Sequence, residues 1–306
     1  MSYERQSRVA DRPSTRRSSY GRRRHQQQRM MLLLAVSLVI FLTALGVKSL
    51  FFGVPLENDP PLAENSVQPS TDPTPTPDPT PTPLLALNYE EKLAYIEEDL
   101  SYPRDMLEFA QKYPQVVDYV LAYPEKKDLE HTIDLSAEAA AGEIPNLIQW
   151  DERWGYEPYG SGLIGYTGCG PVCLSMVAIG LTGDATWNPV EVAKFATDNG
   201  YCVPGNGTAW TLMSEGAKQL GLLPKEIPLS EGVMKNHLRD GHPIIIIVGP
   251  GDFTFSGHYM VITGYDNTGF QILDPNNPEN TKKTWTYERL SPQIRNLWAM
   301  QADVPA

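Results

Sequence analysis

Tyr166-Thr167-Gly168-Cys169-Gly170-Pro171-Val172-Cys173-Leu174-Ser175-Met176 is the stretch on which the fold is read. A cysteine stands between two glycines, and a proline and an apolar run with helical spacing follow it. This describes a loop that ends in a helix whose first residue is a thiol. Gly168 and Gly170 remove the Cβ atoms that would block a sharp turn or a close-lying substrate backbone. Pro171 falls in the first turn, where its missing N–H leaves nothing unpaired. A thiol at that place meets free backbone N–H groups and the positive end of the helix dipole, and both favour thiolate. The same residues also suit a buried cysteine in a glycine-flanked turn, and the stretch alone leaves the two readings open.

Downstream, Asn188-Pro189 reads as an N-cap with proline at the first helical position, and Gly200 terminates that helix. A Gly205–Gly207 loop leads to a helix around Trp210–Leu220, closed by Gly221, and Ser230 caps another that ends near Asp240-Gly241. Strands then take over. Ile244-Ile245-Ile246-Ile247-Val248 is a buried central strand by its β-branched run. His258–Tyr265, a turn at Asp266–Gly269 and the return Phe270–Asp274 make a hairpin. Thr284–Tyr287 and Leu297–Met300 are expected as edge strands. Helices first and antiparallel strands after define an α+β domain over 144–306, roughly 160 residues.

Upstream the composition changes sharply. Residues 1–29 carry nine arginines against Glu4 and Asp11, a surplus of +7; with the whole chain at −12, the remainder carries −19. This tail has no apolar period and is expected to be disordered. Met30 to Val47 is free of charge, and the apolar stretch resumes after Lys48 as far as Val54. A helix of about 20 residues crosses a bilayer. The segment exceeds the ~7–15 residues of a signal-peptide core, and no clean A-x-A follows, so 30–54 is expected as an uncleaved membrane anchor. The arginines place the N-terminus in the cytoplasm and the rest outside. Residues 55–87 are a Pro/Thr-rich linker of polyproline II character, able to hold the next domain up to roughly 100 Å from the bilayer. That reach suits a thick, Gram-positive-type wall. Residues 88–143 read as short helices and a connector, with proline after Tyr102, Tyr113 and Tyr123. Three such helices bury too little to stand alone, so they are expected to pack on the main domain and to serve structure rather than chemistry.

The acidic remainder argues against a nucleic-acid partner. Three cysteines make no disulfide scaffold. Cys173, one turn after Cys169, is expected in the core; a Cys173–Cys202 bridge stays open, with no residue pattern that supports it. No H-E-x-x-H or paired C-x-x-C is present, so neither a metal nor another cofactor is expected.

A nucleophilic cysteine needs a base. Of five histidines, His25 and His131 lie in the tail and connector. His237 sits on a helix between charged neighbours and His242 reads as a turn residue. His258, opening a strand after Ser256-Gly257, is the candidate. Asp274 at the end of the return strand is the candidate to orient it. A turn centred within Asp266–Gly269 offsets the two by about three residues, ~10 Å, so contact requires a bulge or a displaced turn. The backbone N–H of Cys169, joined by the amide of Gln149, is the candidate oxyanion donor. Read plainly, Gln149 is equally a surface glutamine and Asp274 an ordinary Asp-Pro strand end.

As a set, Gln149-Trp150-Asp151, Gly168-Cys169-Gly170-Pro171, Gly257-His258-Tyr259 with Gly264-Tyr265-Asp266, and Leu273-Asp274-Pro275 resemble the bacteriocin-processing (double-glycine leader) cysteine peptidases, within the papain-like fold. The resemblance covers about residues 144–302. It implies Cys169 as nucleophile, His258 as base, Asp274 as orienter and Gln149 as oxyanion donor. The gap between Gln149 and Cys169 is longer than in the transporter-fused members, and the domain is expected to face outside, so leader maturation is not the expected task. The expected function is a membrane-anchored extracytoplasmic cysteine peptidase with a peptide or protein substrate. Two rivals remain: an amidase or endopeptidase on cell-wall peptides, and a catalytically silent binding module on the same fold.

Overall fold

The computed structural model describes residues 84–140, 142–203, 205 and 207–303. The expected basic tail, the membrane segment and nearly all of the linker lie outside these residues. No helix among the described residues is long and apolar enough to cross a membrane.

Three short helices come first: α1 (Tyr89–Glu98), α2 (Arg104–Lys112) and α3 (Val117–Leu121). Asn88 and Glu91 form a reciprocal capping box that starts α1. Pro103 stands at the N-cap of α2, and Pro114 opens the single 3₁₀ turn before α3. Ile96, Met106, Phe109, Ala110, Val116 and Val120 bury their stripes in one cluster, which also takes in Trp150, Tyr156 and Tyr166 from farther along the chain. Polar bonds fasten the same seam. Tyr119 donates its hydroxyl to the Gly155 carbonyl (2.6 Å), Tyr156 donates to the Tyr119 carbonyl (2.8 Å), and their rings stack at 4.5 Å.

Helix α4 (Cys169–Thr182) is apolar all round, and Gly170 through Ile179 are all buried. A helix without a polar face belongs inside a core. It ends at Gly183, whose φ of 72° lets its N–H return to the Ile179 carbonyl. Helix α5 (Pro189–Asp198) packs on it, capped by Asn188, whose side chain accepts from the N–H groups of Val190 and Glu191. Neither glycine beside Cys169 has a positive φ. A Cβ on Gly168 would stand 2.6 Å from the Ile164 carbonyl oxygen, and one on Gly170 2.5 Å from Thr208 Oγ1. Close approach, not left-handed backbone, is what excludes a side chain at both places.

The main sheet and the helices between its strands that the site uses are β1 (Leu222–Glu226), α6 (Glu231–Arg239), β2 (Ile244–Val248), β3 (His258–Tyr265), β4 (Phe270–Leu273), α7 (Pro278–Thr281), β5 (Thr284–Trp285) and β6 (Ile294–Ala302). The strands form one antiparallel sheet in the order β1-β6-β2-β3-β4-β5. This is the α+β papain-like arrangement, with helices first and the sheet after. One expectation is corrected: Leu297–Met300 is not at the edge. It lies within β6, between β2 and β1, because Leu222–Glu226 supplies an outer strand, a segment to which the sequence reading gave no element. Pro224 suits that outer place, since an edge strand does without one ladder N–H.

The isoleucine run of β2 is apolar throughout because both faces of the sheet are covered. Ile245 packs with Val177, Val261 and Trp298 on the α4 side. Ile244, Ile246 and Val248 pack with Met234, Leu238 and Met260 on the α6 side. Ser230 precedes α6 as expected, yet its side chain makes no capping bond.

Candidate active site

Cys169 is the first residue of α4 and is half-buried. Its thiol sits against β3 where that strand runs on beyond its pairing with β4, which reaches only to Val261. The Tyr259 N–H there is free to bond the sulfur. Burial by itself raises the thiol pKa. The hydrogen bond and charge of His258, with the N–H groups of Tyr259 and Gly170, outweigh it and bring Cys169 below the ordinary thiol range.

His258 is buried at the start of β3, and its Nε2 lies 2.8 Å from Asp274 Oδ1. That leaves Nδ1 for the Cys169 side chain, with which the ring also shares a hydrogen bond. Burial lowers the imidazole pKa. The Asp274 carboxylate and the Cys169 sulfur together reverse this and raise it to about 10. A lowered thiol beside a raised imidazole favours a thiolate–imidazolium pair, a form suited to nucleophilic attack.

Asp274, 1% exposed, is held on every side. Its Oδ1 also accepts from the N–H groups of Asn276 (2.9 Å) and Asn277 (3.1 Å), and its Oδ2 accepts from Asn280 Nδ2 (2.7 Å). Burial pushes the carboxyl pKa up, but the His258 charge and these donors carry it below the usual carboxylate range.

The contact between His258 and Asp274 depends on an irregularity. Val261 lies opposite Leu273 and Ile262 opposite Ile272, whereas Gly264 lies opposite Gln271. Thr263 is therefore an extra residue on β3, a β-bulge. The expected turn, with the Asp266 N–H bonded to the Gly269 carbonyl, is in place. The bulge supplies the correction that contact required.

Gln149 is 3% exposed, not at the surface. Its backbone N–H donates to the Pro275 carbonyl (2.8 Å) and its Nε2 to the Gly165 carbonyl (2.8 Å). The long interval from Gln149 to Cys169 folds back on itself through the Pro158–Leu163 hairpin and the turn at Ile164–Thr167, so the two residues border one cavity.

Cys169 stands where two clefts meet. One, of about 240 Å³, is lined by Gln149, His258 and Asn276, and on its far side by Asp105, Glu108 and Tyr113. The other, of about 680 Å³, runs past Thr167, Thr208, Trp210 and Tyr259. The loop before His258 contributes Ser256 and Gly257 to both. The glycine-rich segment 249–253 does not wall the cleft: Phe253 is buried against Trp285 and Asp252 is bound by Gln293 and Arg289.

Cys173 is fully buried, and burial holds its thiol well above the ordinary range. All three cysteines are free. His237 and His242 face each other, Nδ1 to Nδ1 at 3.3 Å, and neither borders the clefts at Cys169. Among the described residues no cluster of three or more His, Cys, Asp or Glu is arranged to hold a metal.

Two contributions escaped the sequence reading. Asn280 reaches Asp274 from α7, a one-turn helix; Asn277-Pro278, an N-cap followed by proline, was the available signal. Tyr113 and the outer face of α2 line the smaller cleft, although that segment was expected to serve packing alone. Its helical stripe records only the face turned inward.

A thiol at the head of a core helix, paired with an imidazole at the start of a sheet strand, is the arrangement of papain-like cysteine hydrolases. The profile of the Peptidase_C39 like family matches residues 142–304, more than half of the chain, and the chain belongs to that family. Membership makes it a cysteine-peptidase-like hydrolase with a peptide or protein substrate. Among solved structures it is similar to the peptidase domain of Streptococcus ComA, a bi-functional ABC transporter of a quorum-sensing pathway, at 25% identity over 44% of this chain and 89% of that one, with a TM-score of 0.35. It is also similar to a structure described as a C39-like peptidase from Bacillus anthracis, at 17% identity over 52% and 94%, with a TM-score of 0.30. No curated protein matches the chain.

Proposed function

We propose that the protein is a membrane-anchored extracytoplasmic cysteine peptidase. In this reading Cys169 is the nucleophile, His258 the acid and base, Asp274 the residue that orients it, and Gln149 with the Cys169 N–H the oxyanion donors. The observation that carries the reading is the 2.8 Å bond between His258 Nε2 and Asp274 Oδ1, with Cys169 and His258 lining one cleft.

The steps follow from the ionisation states. The Cys169 thiolate attacks the peptide carbonyl carbon, and negative charge gathers on its oxygen. An amide nitrogen carries two protons, so Gln149 Nε2 keeps one for that oxygen while the other stays on Gly165. Such a donor typically contributes 10²–10³-fold in rate. His258 passes its proton to the amide nitrogen, the C–N bond breaks, the amine departs, and the acyl group remains as a thioester on sulfur. Neutral His258 then takes a proton from water. The hydroxyl oxygen bonds to the acyl carbon, the C–S bond breaks, and the thiolate–imidazolium pair is restored.

The placement outside the membrane rests on residues 1–87: an arginine-rich tail, an uncharged apolar segment at 30–54 and a Pro/Thr linker ahead of the folded domain at 144–306. The test is Cys169→Ala in the full chain. Iodoacetamide labelling near neutral pH and hydrolysis of peptides are both expected to disappear together. Equal labelling of wild type and variant refutes the assignment.

A further inference from the structure

The smaller cleft is walled by α2 and Tyr113, which precede the 142–304 stretch that the family shares. His258 lines this cleft and not the larger one. Because the imidazole delivers the proton to the departing nitrogen, the amine half of the substrate lies in the smaller cleft and the acyl half in the larger. This orientation rests on the roles proposed above for Cys169 and His258.

On the α2 side of the smaller cleft carboxylates outnumber basic groups. Asp105 and Glu108 stand three residues apart on one face of α2, and both are exposed; Glu108 pairs with Arg104 (3.0 Å), which lies outside the lining. Lys112, the one lysine or arginine in the lining, has its ammonium over the rings of Tyr113 (5.1 Å) and Phe255 (4.8 Å). Independently of charge, two buried side chains in the lining have acceptors without partners: Gln149 Oε1 and Asn276 Oδ1, on residues 3% and 5% exposed. Buried acceptors of this kind ordinarily find a donor. A cavity rimmed by carboxylates, with buried acceptors left unpaired in its wall, is complementary to a cationic, donor-rich segment. We infer that α2 reads the residues on the amine side of the scissile bond and selects substrates that carry Lys or Arg there.

The test uses the full chain and its Asp105→Asn/Glu108→Gln variant, both changes lying on exposed helix surface. Alkylation of Cys169 by iodoacetamide is timed in the presence of two product-like peptides, Lys-Lys-Ala-Ala-amide and Glu-Glu-Ala-Ala-amide. A pool of mixed-sequence peptides is digested in parallel, and the new N-termini are identified by mass spectrometry. The lysine peptide is expected to protect Cys169 at concentrations about tenfold lower than the glutamate peptide, and the new N-termini to be enriched in Lys and Arg. The variant is expected to lose both differences while its melting temperature stays that of the wild type. Equal protection by the two peptides in the wild type, or a charge preference that survives in the variant, overturns the inference. Failure of the peptidase reading looks different: no new N-termini appear and Cys169 labels like an ordinary thiol, while the protection assay still decides the charge preference.

Discussion

His258 and Asp274 share a face of the sheet because Thr263 interrupts the alternation between them. Extending the pairing of Val261 with Leu273 places Met260 opposite Asp274, so His258 lies two residues, one diagonal, away. If Thr263 were itself paired, opposite Ile272, the offset would be three, an odd number, and the two side chains would point to opposite faces. The hydrogen bond of 2.8 Å is thus a product of register.

Deleting Thr263 tests this. Without the extra residue the hairpin is expected to close in regular register with the pairs Ile262–Ile272 and Val261–Leu273 kept, so His258 stays one diagonal from Asp274. Peptide hydrolysis should therefore be retained, without the loss of about 10²-fold that a misplaced catalytic group brings. Circular dichroism and thermal melting separate a folded protein from one that fails to fold. A folded deletion variant that has lost turnover contradicts the register argument.

The pH dependence follows from the directions of the shifts. His258 is raised from its ordinary 6.5 to about 10, so its protonated form adds stability that is fully present below about pH 6.5 and lost as pH rises through about 10. Asp274 is lowered, so its contribution is present above its ordinary 3.8 and lost as pH falls through the folded value. Thiolate at Cys169 persists below the usual thiol range. Iodoacetamide labelling should therefore remain fast through neutral pH, and hydrolysis should fail on the alkaline side as His258 deprotonates. Asp274→Asn should bring that alkaline limit down, read as the pH at which turnover halves. An unchanged limit argues against the ion pair.

Asn280 offers a third prediction. It donates to Asp274 Oδ2 at 2.7 Å from a position 8% exposed. Asn280→Ala leaves a buried carboxylate oxygen short of a donor, at a cost of about 1–3 kcal/mol. The melting temperature should fall, and the alkaline limit of activity should shift, since one of the groups that keeps Asp274 ionised is gone. Asn280→Gln, with the same amide on a longer stem, should recover part of both. A variant that melts lower with an unmoved pH profile assigns Asn280 to packing alone.

The parts of this site that were legible in the sequence are those with local signals. Cys169 announces itself through Gly168, Gly170 and Pro171, and His258 through a glycine that opens a strand. The hairpin was legible too, and simple counting showed that it needed an irregularity, though not that Thr263 would be the extra residue. Thr263 itself is a good strand former; the local signal was its neighbour Gly264, since a glycine inside a strand often marks a bulge. The place of Leu297–Met300 was misread for another reason. Whether a strand is central depends on who lies on its other side, and Leu222–Glu226, broken by Pro224, has little strand signal. The second face of α2 was invisible because periodicity reports the side a helix buries and is silent about a cleft beside the other.

The helical segment yields the last prediction. Tyr119 hands its hydroxyl to the Gly155 carbonyl at 2.6 Å in a buried seam, with Tyr156 stacked on its ring. Tyr119→Phe keeps the ring and loses the bond; Gly155 O still accepts from the Gly165 N–H at 2.9 Å, so the cost should be modest, about 1–2 kcal/mol. Cutting the chain at residue 144 is far harsher. Trp150, Tyr156 and Tyr166 would lose the partners that cover them, and burying large side chains of this kind contributes about 1.5–3 kcal/mol each. The 144–306 fragment should therefore melt well below the full chain and bind a hydrophobic dye, while Tyr119→Phe should not. If the fragment melts with the full chain, the helices contribute nothing to the stability of the fold they cover.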